Sequence, residues 1–349
     1  MPAIELDMFI PPDVTIDDDG IIASDDWTKV YKFNNGVDKL LYSFTGMGMP
    51  PLEYITQRGP YQHGQSVLDF RLQSRTIQYI HRRKGCSRED YWSNRGNLLN
   101  LIRPNRWECN FQQGRLRKVQ PDGTVRDIMA VIEFGPRFEP RDLNVWDEWA
   151  FTEAIRFVCH DPTFFDPNLQ RAVWVLSNLE NLIFYGAALD IPTPVPDSPG
   201  PPDWSDRLIF EGDSLDSGGI WFGEDSLYQI LNVTYAGTWL SYPVIRLTGP
   251  ISQPQIWNLT LGLKIELTYD IPAGDTVTMD LAFGNKTVID NHGTNLIGTV
   301  TTDSTLSTFR LAPDPEATGG VNQLQVIGDD AVIGETQVTV EWYTRFIGI

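Results

Sequence analysis

The stretch Trp149-Ala150-Phe151-Thr152-Glu153-Ala154-Ile155-Arg156-Phe157-Val158-Cys159 decides the fold class. Its odd positions carry Trp149, Phe151, Glu153, Ile155, Phe157 and Cys159; the even positions include Thr152 and Arg156, with His160 next in step. A period of two sends successive side chains to opposite faces, so the stretch predicts a half-buried β-strand. The far end of the sequence repeats the pattern, with Val338, Val340, Trp342 and Phe346 alternating against Gln337, Thr339, Glu341 and Arg345. Turn chemistry falls at strand-like intervals. Asn35-Gly36, Gln113-Gly114 and Pro121-Asp122-Gly123 each predict a hairpin. The chain reads as mainly antiparallel β.

One segment breaks the period. Ser87 precedes Arg88-Glu89-Asp90, an N-cap with an acid three residues on, and Tyr91, Leu98, Leu99 and Ile102 then recur at helical spacing until Pro104. This predicts one helix of about four turns, from Arg88 to about Ile102. The two Asp-Pro steps in His160-Asp161-Pro162-Thr163-Phe164-Phe165-Asp166-Pro167 favour extended or turn geometry and mark a linker. The expected division is 1–162 and 163–349, in keeping with 349 residues and 39.5 kDa at ~100–200 residues per domain. Within the second half, residues 192–202 hold six prolines in eleven positions, an exposed polyproline-like insertion. Ile209–Leu215 and Trp221–Leu227 echo each other, which suggests two similar strand-turn units.

Composition excludes several classes. Apolar residues make up 41% of the chain, including 11 Trp, 12 Tyr and 17 Phe, enough to fill two cores rather than leave a disordered chain. No apolar run approaches the ~18 residues of a membrane-crossing helix; Leu182–Leu189 is the longest candidate. The opening MPAIELDMFIPPD lacks the basic and apolar regions of a secretory signal, so none is expected. Cys86, Cys109 and Cys159 are odd in number and far apart, which argues against a disulfide scaffold.

The net charge of −19 argues against nucleic acid as the main partner. The charge is uneven. Residues 58–118 hold 13 Lys/Arg against four acids, residues 1–57 hold ten acids against three lysines, and from Phe165 onward 23 acids face seven bases. Three readings stand: solvated faces that keep the protein soluble, complementary patches on neighbouring copies, or a nucleic-acid groove in which Tyr79, Tyr91, Trp92 and Trp107 interleave with arginines.

Catalytic and ligand motifs are sparse. His63, His81, His160 and His292 stand alone, without HExxH spacing. There is no GxSxG, no GxxxxGK[ST] and no GxGxxG. Asp17-Asp18-Asp19-Gly20 lacks the alternating oxygens and closing Glu of a calcium loop. The many acids of the second half define no pair suited to glycoside hydrolysis. No catalytic site, cofactor site or metal site is therefore assigned.

An ordered set of short motifs spans residues 40–349. Gly46-Met47-Gly48-Met49-Pro50-Pro51 is followed by Gly59-Pro60-Tyr61-Gln62-His63-Gly64, by the arginine-bearing strand Leu72-Gln73-Ser74-Arg75-Thr76-Ile77, and by Asp90–Leu99 with Leu101-Ile102-Arg103-Pro104. In the second half Tyr242–Pro250, Asn258-Leu259-Thr260-Leu261-Gly262, Ile271-Pro272-Ala273-Gly274-Asp275 and Gly319-Gly320-Val321-Asn322 follow in turn. The set resembles siphophage distal tail proteins. That resemblance implies an N-terminal split-barrel-like β domain with one helix and a long hairpin, and a C-terminal galectin-like antiparallel β-sandwich. It implies a structural, non-enzymatic protein of the virion tail tip, made in the host cytoplasm. It also implies a homohexameric ring between the tail tube protein and the tail hub or fibre protein, with the C-terminal domain anchoring receptor-binding proteins in some members. No membrane and no sequence-specific nucleic acid enter as partners.

A ring closes through two different complementary patches on each copy. Arg71, Arg75, Arg82, Arg83 and Arg88 are the candidate subunit-contact residues; the competing reading is that they decorate a solvent face. The acidic first 30 residues and the proline-rich 192–202 stretch stand outside the compact family pattern. No ordered galectin sugar motif is present, although Trp204, Trp221 or Trp239 could stack on a sugar. The alternative class is a carbohydrate-binding module or adhesin built from β-sandwiches.

Overall fold

A computed structural model describes residues 6–10, 28–33, 39–102, 113–136, 149–175, 227–282, 284–332 and 334–349. Asn35-Gly36, the acidic turn at 17–20, Cys109, Trp107, Leu182–Leu189, the proline-rich 192–202, Trp204, Trp221 and most of the internal echo lie outside these residues.

The first half contributes β1 (Leu6–Ile10), β2 (Thr28–Lys32), β3 (Lys39–Thr45), β4 (Leu52–Gln57), β5 (Ser66–Leu72), β6 (Arg75–Gly85), α1 (Arg88–Ile102), β7 (Gly114–Val119), β8 (Val125–Phe134) and β9 (Trp149–Cys159). The second contributes β10 (Phe164–Phe165), β11 (Gln170–Val175), β12 (Leu227–Thr234), β13 (Val244–Thr248), β14 (Ser252–Asn258), β15 (Leu263–Glu266), β16 (Thr276–Asp280), β17 (Thr287–Asp290), β18 (Val321–Asp329), β19 (Gln337–Trp342) and β20 (Arg345–Phe346). The chain is mainly β, and every ladder between these strands is antiparallel.

The strand over 149–159 forms as its period demands. Glu153, Ile155, Phe157 and Cys159 are buried, and Arg156 and His160 are exposed. Strand β9 pairs along its whole length with β6, Arg75 opposite Cys159 and Gly85 opposite Trp149. The two strands lie inside a sheet ordered β2-β1-β7-β8-β9-β6-β3, next to its β3 edge, and β10 and β20 attach beside β8. Phe33 sits at the centre of the core under this sheet, edge-on to Tyr79 at 5.0 Å and to Phe157 at 6.2 Å between ring centroids. Such T-shaped packing suits the aromatic quadrupole.

Helix α1 has the predicted limits. Ser87 Oγ accepts from the Asp90 N–H at 3.1 Å, and Asp90 Oδ2 accepts from the Cys86 N–H at 3.2 Å. Together they satisfy donors at the helix start in the manner of a capping box. Tyr91, Leu98 and Ile102 then pack into the core.

The predicted turns fare differently. Pro121-Asp122-Gly123 does join β7 to β8: Gly123 has φ +85°, and Asp122 Oδ1 accepts from the Thr124 N–H at 2.9 Å. Gly114 is instead the first residue of β7, paired with Ala130. The strands flanking Asn35-Gly36 are not partners, because β2 pairs with β1 and β3 pairs with β6, at opposite ends of the sheet order.

In the second half, the sheets β11-β19-β13-β16-β17 and β12-β18-β14-β15 share one hydrophobic core. Ile245, Leu247, Val277, Met279, Val338 and Val340 come from the first sheet; Leu231, Ile256, Leu324 and Val326 come from the second. The alternation over 337–342 is partly overridden, since Thr339 is buried along with Val338 and Val340.

The predicted linker itself stays with the first sheet. Phe165 pairs with Asp127 of β8, and Phe164 and Phe165 pair with Phe346 and Arg345 of β20. The chain therefore builds the sandwich and then returns to the first unit.

Candidate assembly interface

The five arginines singled out by the sequence have different surroundings. Arg75, at the start of β6, is 1% exposed. Its Nε donates to the Pro162 carbonyl at 2.8 Å, Nη1 donates to the carbonyls of Gly46 and Gly48, and Nη2 donates to the carbonyl of Ile347. The guanidinium also lies over the Phe164 ring, 4.6 Å from its centroid. Burial pulls its pKa down to about 10, against an opposing effect of Cys159, so it remains a cation at neutral pH. Burial pushes the Cys159 thiol up to about 12, which leaves it an inert core residue.

The sequence around Arg75 makes this geometry possible. Gly46 has φ +89°, and a Cβ there would lie 2.0 Å from the Thr76 carbonyl oxygen. Only glycine lets the chain pass this close to β6 and aim its carbonyl at the guanidinium.

The other four arginines are more open. Arg71 and Arg88 are exposed; Arg82 and Arg83 are half-buried on β6. Arg82 Nη1 donates to the Tyr42 hydroxyl at 3.4 Å. Arg71 stands on β5 opposite Glu53 of β4.

Strands β4 and β5 pair only with each other. Tyr54 is opposite Phe70 and Leu52 opposite Leu72, so these four share one face. The register shifts between Ile55 and Thr56, which leaves Leu68 without an opposite residue. Tyr54, Leu68 and Phe70 are 57%, 61% and 45% exposed. Phe70 meets Trp239 of the sandwich edge-on at 6.3 Å, which covers one corner of the face. Trp239 is half-buried at this contact. A two-stranded ribbon is at best marginally stable in water, so an apolar face of this size calls for a further surface to pack on.

A second apolar surface runs along α1. Arg88, Trp92, Arg95 and Leu99 lie at i, i+4, i+7 and i+11, which places them in one stripe beside the buried Tyr91, Leu98 and Ile102. Trp92 is 50% and Leu99 46% exposed. The Arg95 guanidinium lies 4.7 Å from the Trp92 ring centroid. From the sequence, Leu99 falls in the helical repeat with Tyr91, Leu98 and Ile102, and Arg88 and Trp92 are named apart from it, not as one face. The usable signal was apolar spacing wider than one core-facing stripe.

The junction between the units is polar and occupied. The Arg345 Nη1 donates to Asp161 and, at 2.8 Å, to the Thr163 hydroxyl. Burial pushes the Asp161 carboxyl up, but the Arg345 charge and the Thr163 hydrogen bonds outweigh it, so it titrates below its ordinary range. Nearby, Asp127 is fully buried; it accepts a two-point bond from Arg117 at 2.8 Å and meets Arg115 at 3.1 Å. Among the described residues no group of His, Cys, Asp and Glu could hold a metal ion, and no helix is long and apolar enough to cross a membrane.

Residues 236–346 match the profile of the siphovirus-type tail component, C-terminal domain. No curated protein matches the chain in sequence. Among solved structures, the chain is similar to the Dit protein of phage SPP1, described as a paradigm of the hub adsorption apparatus in phages that infect Gram-positive bacteria. The alignment covers 98% of this chain and 99% of that one, at 10% identity and a TM-score of 0.55. Chains of the phage p2 baseplate in its activated conformation, with Sr and with Ca, align over 97% of both chains at TM-scores of 0.45 and 0.44 and 10% and 9% identity, too distant to carry the fold assignment. Residues 236–346 thus match the siphovirus-type tail component C-terminal domain, and the chain as a whole shares the fold of the SPP1 Dit protein.

Proposed function

We propose that this chain is a structural protein of a phage tail tip. Six copies form a ring that joins the end of the tail tube to the hub or fibre protein and to the receptor-binding apparatus. The role is mechanical rather than catalytic, and the protein is made in the host cytoplasm before entering the virion. The division at 1–162 and 163–349 assigns ring formation to the first unit and outward anchoring to the sandwich, read as galectin-like.

The observation that carries this reading is the apolar face of the β4–β5 hairpin, with Tyr54, Leu68 and Phe70 in solvent. A heterologous ring contact needs two unlike patches on each copy. The hairpin supplies one, and the Arg88–Trp92–Arg95–Leu99 stripe of α1 is suited to be the other. Tyr, Trp and Arg dominate the energetics of such contacts. Arg71, Arg82, Arg83 and Arg88 contribute charge around them, while Arg75 acts inside the chain.

Native mass spectrometry across a salt series tests the reading. A species of six times 39.5 kDa that loosens as salt rises is expected for a ring closed partly by charge. Charge reversal of Arg71 and Arg88 together weakens it; an unchanged hexamer removes these arginines from the interface. A wild-type chain that stays monomeric beside isolated tail tubes and hub protein overturns the ring, and a glycan array then decides whether the sandwich is a sugar-binding module.

A further inference from the structure

Residues 343–349 belong by sequence to the second unit and by contacts to both. On the sandwich side, the Tyr343 carbonyl accepts from Ser241 Oγ at 2.7 Å, and the Arg345 N–H donates to the Tyr235 hydroxyl at 2.9 Å. The Arg345 carbonyl accepts from the N–H groups of Thr238 and Trp239 at 2.9 and 3.2 Å, and the Ile347 N–H donates to Thr238 Oγ1 at 3.1 Å.

On the side of the first unit the contacts combine hydrogen bonds with apolar packing. The Ile349 N–H donates to the Met47 carbonyl at 3.0 Å, and the Thr344 carbonyl accepts at 2.9 Å from the N–H of Asp166, which follows the β10 strand attached to the first sheet. The Ile347 carbonyl accepts from Arg75. Phe346 and Ile349 pack against the core of the first unit, and the Arg126 guanidinium lies 3.7 Å from the Phe346 ring centroid. Gly348 runs so close to Gly48 that a Cβ on it would meet the Gly48 backbone at 3.0 Å.

We infer that residues 343–349 are a latch that couples the two units: the first unit is completed only by the segment that follows the folded sandwich. Arg75 is the keeper of the latch, because one guanidinium holds the Gly46–Gly48 loop, the Pro162 linker and Ile347 together. The consequence is a checkpoint. A chain whose sandwich has not folded, or has lost this segment, presents an incomplete first unit and does not assemble. The coupling itself follows from the contacts, and the assembly consequence rests on the ring reading above.

Two full-chain variants open the latch by different means: deletion of residues 347–349, and Gly348→Val, which forces the segment away from Gly48 without removing any core residue. Hydrogen exchange followed by mass spectrometry is read for peptides covering 44–50 and 161–167, with β16 as the reference. Exchange in the first two peptides rises by about tenfold or more in both variants, while β16 stays within about twofold, as expected for a local opening. Unchanged exchange at 44–50 and 161–167 overturns the latch. Equal loss of protection in β16 overturns it too, because the molecule is then one cooperative body with no separable coupling. Native mass spectrometry of the same samples shows the hexamer lost in both variants; a hexamer retained with raised exchange overturns the checkpoint. A wild-type chain that forms no hexamer counts against the ring reading, and the exchange arm still decides the latch.

Discussion

Arg75 and Arg88 lie thirteen positions apart in one basic stretch, and their surroundings are opposite. At the junction, Arg75 is enclosed and directs its donors to four backbone carbonyls of the same chain. On the outer surface Arg88 heads an open stripe with Trp92 and Leu99, and the hairpin holds Tyr54 and Phe70 in solvent. The first region is closed by its own chain, and the second leaves apolar area uncovered. Substitutions at the first are therefore folding mutations, and substitutions at the second are assembly mutations.

The largest expected effect tests the enclosed side. Arg75→Met strands the carbonyls of Gly46, Gly48, Pro162 and Ile347, and each buried acceptor left bare costs roughly 1–3 kcal/mol without simple additivity. A loss of about 3–5 kcal/mol is expected, read as a lower denaturant midpoint at unchanged slope. Arg75→Lys recovers only part of it, because an ammonium cannot reproduce the planar fork. Full recovery by lysine would mean that charge, not geometry, holds the junction.

The open side comes next. Tyr54→Ser with Phe70→Ser removes the aromatic pair from the hairpin face while leaving the β4–β5 ladder in place. Monomer stability falls by about 1–2 kcal/mol at most, since Tyr54 is mostly in water and Phe70, 45% exposed, loses its edge contact with Trp239. Assembly weakens by about 2 kcal/mol or more, roughly thirtyfold in the concentration for half-assembly, as for interface aromatics. Sedimentation at several concentrations measures it, and an unaltered assembly curve would remove the hairpin from the ring contact.

How much of this was legible in the sequence depends on the range of the interaction involved. The period of two over Trp149–Cys159 and the cap at Ser87 are local signals, and both elements form with the predicted limits. The two failed turns are informative. Asn35-Gly36 invited a hairpin, yet β2 and β3 find ladders elsewhere, since strand partners are chosen across the whole chain. Gly114 is a strand residue because its opposite number, Ala130, lies across the ladder and not across a turn. Arg75 looked like its neighbours because its acceptors are backbone carbonyls, which every residue carries; no sequence pattern announces that Ile347, 272 positions away, closes the site. The return of β20 to the first sheet was invisible for the same reason.

A smaller effect separates the two halves of the junction. The carboxyl of Asp161 titrates below its ordinary range in the folded chain. The stability it adds is fully present above the ordinary Asp value of ~3.9. That contribution fades as pH falls through the lower folded value, where protonation releases Arg345. The stability difference between the wild type and Asp161→Asn is thus constant above about pH 5 and narrows below about pH 4. Thermal midpoints across that range measure it. A difference that widens on acidification would mean that the carboxyl is held protonated and that Arg345 is anchored by Thr163 alone.

The smallest expected effect is the sharpest test of the contrast. Arg88 opens α1, where a cation opposes the helix dipole and Glu89 and Asp90 complement it. Its exposed side chain gives Arg88→Ala nothing to strand, so monomer stability stays within about 0.5 kcal/mol and can rise by a few tenths. If Arg88 belongs to a ring contact, the same substitution reduces the salt dependence of assembly, because one charge pair is lost from the interface. A monomer destabilised by about 2 kcal/mol or more would show that the fold depends on Arg88 much as it does on Arg75. The line between enclosed and open arginines would then have to be drawn elsewhere, at Arg71 on the hairpin, where the partner across the strand is Glu53 of the same chain.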